Sequence, residues 1–233
     1  MKSNQSGFTL IEIAIVLVII GLLLGGVLKG QELINSAKVK RLSKEFSDVQ
    51  TLIFQYQDKF RVLPGDDPSV QLHVGTATTT ATQATGTLVG NGTINGTWDS
   101  VTGTAESVIL WQHLRMANLV VGLQTIPGTL TILDPYFPMN AVGGRLGIQG
   151  NLGTADSPNP IAGLPGTNVI CSASIPGKFA KLLDIALDDQ QTNTGSMRTT
   201  LAAAGATIIN SGQLVVTTTD IVNDTLYTVC MGV

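Results

Sequence analysis

The chain has 233 residues and a formal net charge of −3, with 43% of residues hydrophobic and only 12% charged. That balance allows one sizeable globular core and leaves more apolar sequence than a soluble domain needs. Residues 29–61 carry seven basic and four acidic side chains, whereas 62–233 carry five and eleven, so neither part offers the basic surface of a duplex-DNA binder.

From Phe8 to Leu28 the sequence reads FTLIEIAIVLVIIGLLLGGVL. As a helix, this run of roughly twenty residues spans about 30 Å of hydrocarbon. Its polarity is broken only by Thr9 and Glu12. The run is too long for the apolar core of an ordinary secretory signal, and no small-residue cleavage site closes it, so the anchor is expected to stay attached. A carboxylate near the centre of such a span costs about 2.5–3.5 kcal/mol, and less at an interface. Glu12 therefore either sits at headgroup level or has a task that justifies its place.

The polar stretch Met1-Lys2-Ser3-Asn4-Gln5-Ser6-Gly7, followed by Phe8-Thr9-Leu10-Ile11-Glu12 and the apolar run, resembles the class III signal of type IV prepilins and pseudopilins. The resemblance implies cleavage between Gly7 and Phe8 by a prepilin peptidase, N-methylation of Phe8 and retention of the helix in the inner membrane. It implies assembly with other pilins on an inner-membrane platform, Glu12 pairing with a neighbour's amino terminus. Elementary electrostatics agrees. An α-amino group with a reference pKa of about 7.7–8.0 is largely cationic at neutral pH, and among apolar helices it needs an anion. Such a pair adds little net stability, but losing one partner costs several kcal/mol, so it acts as a register device. Lys29, Lys38, Lys40, Arg41 and Lys44 follow the span. Taken alone, the positive-inside rule would put the remainder in the cytoplasm. The signal is the more specific of the two, and it places the globular part outside, where the filament is periplasmic or on the cell surface.

After the span, Leu33, Ala37, Leu42, Phe46, Val49, Ile53, Phe54 and Gln57 recur mostly at three- and four-residue steps, predicting an amphipathic continuation over 29–61. Leu63-Pro64-Gly65-Asp66-Asp67-Pro68 ends it, and Pro-Gly-Asp here resembles a recurrent feature of larger prepilin-like proteins. Residues 75–105, rich in Thr, Gly, Ala and Asn, read as loop and short strands with little core of their own. A helix is predicted over Ala105–Val121, capped by Thr104 and stopped by Gly122, and another over Pro176–Asp188, where Phe179, Leu182, Leu183, Ala186 and Leu187 share one face. Strands are predicted at Thr129–Leu133, Thr207–Ile209, Leu214–Thr219 and Leu226–Val229. The expected class is α+β: a leader (1–7), a transmembrane helix (8–28), its amphipathic continuation (29–61), and a globular pilin-like domain (62–233) with an antiparallel sheet and two further helices.

Cys171 and Cys230 are the two cysteines, and in an exported chain they are expected to form a disulfide rather than a metal site. Asp184, Asp188 and Asp189, leading into a polar turn with Gly195, offer carboxylate and backbone oxygens suited to calcium, although their spacing is not that of an EF-hand. The plain alternative is a solvated helix end, despite the unfavourable placing of negative charge at a helix carboxyl terminus. Two histidines, His73 and His113, and no G-x-S-x-G, H-E-x-x-H or C-x-x-C make no catalytic constellation. The expected function is a structural filament subunit of a type IV pilus, a competence pilus or a type II secretion pseudopilus. A tip adhesin or DNA-binding minor pilin on the same anchor comes second, and an anchored enzyme last.

Overall fold

A computed structural model describes residues 10–76, 80–84, 88–201 and 215–233. Helix α1 runs Leu10–Phe60, α2 Val70–His73, α3 Glu106–Met116 and α4 Gly177–Leu187. The strands are β1 (Leu146–Gly150), β2 (Asn168–Pro176), β3 (Met197–Leu201) and β4 (Leu226–Gly232). Two compact units divide the chain, one ending at Lys40 and one running from Arg41 to Val233.

In the first unit, α1 is apolar and bare. Leu10, Leu17, Leu22 and Leu28 are all more than 60% exposed, and the segment is long and apolar enough to cross a membrane. The helix continues through Gly21, Gly25, Gly26 and Gly30 without a break.

In the second unit, α1 buries Leu42, Phe46, Val49, Ile53 and Tyr56, at alternating four- and three-residue steps that keep one face inward. Two expectations are corrected: Leu33 and Ala37 in the first unit and Phe54 in the second are exposed, and Tyr56, absent from the predicted stripe, is fully buried and hydrogen-bonded as described below. Arg61 takes a left-handed conformation (φ 64°) just past Phe60, and the chain turns into the Pro-Gly segment.

The sheet is antiparallel throughout, in the order β1-β2-β4-β3, and α4 packs against β2, β3 and β4. Cys171 faces Cys230 across β2 and β4, and the two form a disulfide (S–S 2.02 Å) within a cluster of Trp98, Ile161, Leu164 and Val169.

Sequence reading located α4 to within one residue at each end and placed a strand at Leu226–Val229, inside β4. It ran α3 too long. The helix stops at Met116 because Asn118, at φ 58°, forms a Schellman turn: Leu119 N–H reaches Leu114 C=O at 3.0 Å and Asn118 N–H reaches Arg115 C=O at 3.1 Å. Its cap position is Ala105, with no side-chain cap from Thr104. Thr129–Leu133 is turn and loop, bracketed by Pro127 and Pro135, neither of which can donate a ladder hydrogen bond. Thr207–Ile209 lies outside the described residues, as does Leu214, and residues 215–219 are loop and turn.

Strand β1 was not foreseen because of its glycines, and the packing shows why they are there. A Cβ on Gly147 would come within 2.2 Å of the Trp98 carbonyl oxygen, and one on Gly150 within 2.3 Å of Thr93 Cγ2. The described part of the 75–105 stretch therefore has a core after all, since Ile94 and Trp98 are fully buried against this strand.

Candidate functional site

Glu12 lies in the first turn of α1, where a carboxylate complements the helix dipole, and apolar side chains follow it to Leu28. Gly7 and Phe8 lie outside the described residues.

A second concentration of polar chemistry forms where α1 ends. Gly65 takes φ +89°, and a Cβ there would lie 2.6 Å from the Glu106 carbonyl oxygen, so only glycine lets the segment pass α3. The Asp66 carboxylate accepts backbone N–H groups from Gly90, Asn91 (3.2 Å) and Gly92 (2.7 Å). The neighbouring Asp67, fully buried, accepts from the Tyr56 hydroxyl at 2.7 Å and from Ser69 N–H at 2.9 Å, and its Oδ2 is 2.7 Å from His73 Nδ1. His113 Nδ1 accepts Gly65 N–H at 3.0 Å, and its Nε2 lies 2.8 Å from the Thr82 carbonyl, which requires the Nε2–H tautomer. Burial lowers the His113 pKa, in keeping with a neutral ring. Both of its nitrogens are committed to backbone groups. The arrangement ties α1, α3, Thr82 and residues 90–92 together; it is an anchoring hub.

Glu106, nearly buried at the start of α3, accepts Asn95 N–H at 2.7 Å and Asn95 Nδ2 at 3.1 Å. Burial, with the Asp66 charge adding to it and the Asn95 hydrogen bonds opposing it, pushes the carboxyl up to about 7. Its ordinary value is 4.5, so between pH 4.5 and 7 the unfolded chain releases a proton that the folded chain keeps. Stability is expected to fall across that window and level off above it, by about 2–3 kcal/mol. Glu106→Gln should flatten this part of the profile. Urea midpoints followed by the fluorescence of Trp98 and Trp111 at pH 5 and pH 8 are the check, and equal slopes in the two proteins would contradict it.

At the far end of α4, the carboxylates of Asp184, Asp188 and Asp189 each offer an oxygen, all within 4.8 Å of one another. Asp188 accepts Met197 N–H (2.6 Å) and the Ser196 hydroxyl (3.2 Å), while Asp189 accepts Gln191 N–H (2.9 Å) and the Thr194 hydroxyl (2.6 Å). Asp184 is 1% exposed, and neither of its carboxylate oxygens has a hydrogen-bond partner. Burial and the charges of Asp188 and Asp189 push it up to about 6; the Gln190 and Gln191 N–H groups temper that rise without reaching bonding geometry.

Of the residues singled out in sequence, the structure joins Cys171 to Cys230 and gathers the three aspartates. It sets His73 and His113 in the hub. The hub itself escaped sequence reading, because Asp66, residues 90–92 and His113 are far apart along the chain. Pro64-Gly65-Asp66 was its visible trace.

The bare apolar helix with a carboxylate in its first turn acquires a meaning from comparison. Residues 2–28 match the prokaryotic N-terminal methylation motif, the class III signal of type IV prepilins. The match covers only residues 2–28 and supports a type IV pilin-like or pseudopilin-like precursor; a motif of this kind implies processing by a prepilin peptidase and assembly into pilus filaments. No curated protein and no solved structure matches the chain.

Proposed function

We propose that this chain is a structural subunit, major or minor, of a type IV pilus, competence pilus or type II secretion pseudopilus. A prepilin peptidase cuts between Gly7 and Phe8, Phe8 is N-methylated, and Glu12 neutralises a methylated amine as subunits dock. Residues 1–7 are the leader, 8–28 the membrane helix, 29–61 its continuation and 62–233 the globular domain, which lies outside the cytoplasm. The observation that carries this reading is the methylation motif over residues 2–28 leading directly into an exposed apolar helix.

Intact-mass and amino-terminal analysis of protein from cells with an active prepilin peptidase should give a chain beginning at methylated Phe8. Gly7→Val should leave Met1–Gly7 attached and hold the protein in the inner membrane, because a branched side chain obstructs a cut site shaped for glycine. Wild-type protein recovered with its leader intact would defeat the assignment.

A further inference from the structure

Residues 62–233 hold five basic side chains. Arg115 donates to the Leu123 and Tyr136 carbonyls, Arg145 to those of Asp99 and Ser100, and Arg198 to that of Ala162. Lys178 and Lys181 belong to α4, where Lys178 pairs with Asp224. Among the described residues, Asp66 and Glu106, 2% and 4% exposed, accept hydrogen bonds from neutral donors alone, and neither forms a salt bridge. A carboxylate out of water is costly without a partner of opposite charge.

Glu106 also lines a cleft of about 530 Å³, with Leu88, Asn95, Thr97, Asp156 and Pro158 among its walls, a volume suited to a small ligand. Asp156, which is exposed, brings a second carboxylate, and the described residues that line the cleft include no lysine, arginine or aromatic ring. The Glu106 carboxylate is held in one place. Asn95 donates twice to its Oε2, and a Cβ on Gly96 (φ +91°) would meet Ala105 Cβ and Ser107 Oγ at 3.1 Å, so the 95–97 segment lies close against the start of α3.

We propose that this cleft binds an alkylammonium group, carried by a lysine side chain or by a free diamine, with Glu106 and Asp156 receiving the ammonium and Leu88 and Pro158 lying along the methylenes. Such an amine, with a reference pKa of about 10.4, is cationic at neutral pH and supplies the charge that the chain itself does not. Its stem suits apolar walls. A guanidinium prefers to meet both oxygens of a carboxylate at once, whereas Oε2 of Glu106 is already given to Asn95, so a compact point charge is the better match. A quaternary ammonium would find no aromatic cage among the described lining residues.

The test titrates the full-length chain, in neutral detergent micelles at pH 8, with cadaverine and with Nα-acetyl-lysine methyl amide, by calorimetry and by thermal unfolding. Wild type should bind an ammonium ligand with a dissociation constant of about 10⁻⁴–10⁻³ M. At 10 mM ligand its melting temperature should rise by roughly 5 °C. Affinity for the lysine derivative equal to or above that for cadaverine would assign the site to a lysine side chain, and a clear preference for cadaverine would assign it to a free diamine; both outcomes uphold it. Glu106→Gln, which keeps an oxygen for Asn95, should weaken binding about tenfold or more. Asp156→Asn, at an exposed position that tolerates change, should weaken it about threefold, and it serves if Glu106→Gln does not fold. Neither heat nor thermal shift with wild type at 10 mM of either ligand would overturn the site. So would equal binding of the lysine derivative acetylated on its ε-amine, equal competition by calcium chloride, or wild-type affinity in Glu106→Gln or Asp156→Asn.

Discussion

Glu12→Ala protein, cut and methylated normally, is expected to insert into the membrane at least as well as wild type and to be missing from filaments. Insertion improves because a carboxylate in an apolar helix is unfavourable. Docking fails because a methylated amine then enters a bundle of apolar helices without an anion. Leaving one member of a buried ion pair alone costs about 3–5 kcal/mol, which lowers association more than a hundredfold. The measurement is the amount of this subunit in sheared filaments relative to the membrane pool, since neighbouring subunits can sustain filaments without it. Wild-type incorporation of the substituted protein would return Glu12 to a headgroup-level residue with no role in assembly.

Asp67→Ala is expected to cost the second unit about 2–4 kcal/mol. The substitution leaves the Tyr56 hydroxyl, fully buried on α1, without its acceptor, and it also strips Ser69 N–H and the His73 ring of their partner. The buried Tyr56 hydroxyl so orphaned carries a penalty of about 1–3 kcal/mol, and the Ser69 and His73 groups, which water can reach, add less. Against a typical total of about 5–15 kcal/mol, the loss decides whether the domain persists. Adding Tyr56→Phe to Asp67→Ala should restore part of it, since the phenol then has nothing left to satisfy. Urea denaturation of the full chain in micelles, read by the two buried tryptophans, separates the cases. A shift below 1 kcal/mol for Asp67→Ala would mean that the hub does not hold α1.

Local periodicity explains what was legible beforehand. Helix α4 carries its apolar residues at helical spacing and was found almost to the residue; the membrane helix announced itself by length; the cysteine pair needed only composition and compartment. What stayed hidden depends on contacts between distant segments. Trp98 gives an otherwise polar stretch a buried core, but only because Gly147 lets its backbone close on β1. Tyr56 sits on the inward face of α1, and a tyrosine there reads as a misfit until Asp67 is seen accepting its hydrogen bond. Asn118 ended α3 where a glycine four residues on had been the expected stop, since asparagine also tolerates the left-handed turn.

The sheet order has a consequence in time. Among the described residues, β4 is the strand that pairs with β3, and β4 lies between β2 and β3 although it follows both in sequence. Until Leu226–Gly232 is in place, the edges of β2 and β3 that face β4 are open, and Cys171 faces no second thiol. Unpaired edges of this kind invite pairing with other chains. Arrival of one seven-residue segment closes both gaps and brings Cys230 opposite Cys171 in the same event. The disulfide therefore forms only after β4 has arrived, and a product broken off upstream of Leu226 would lack both the strand pairing and the bridge.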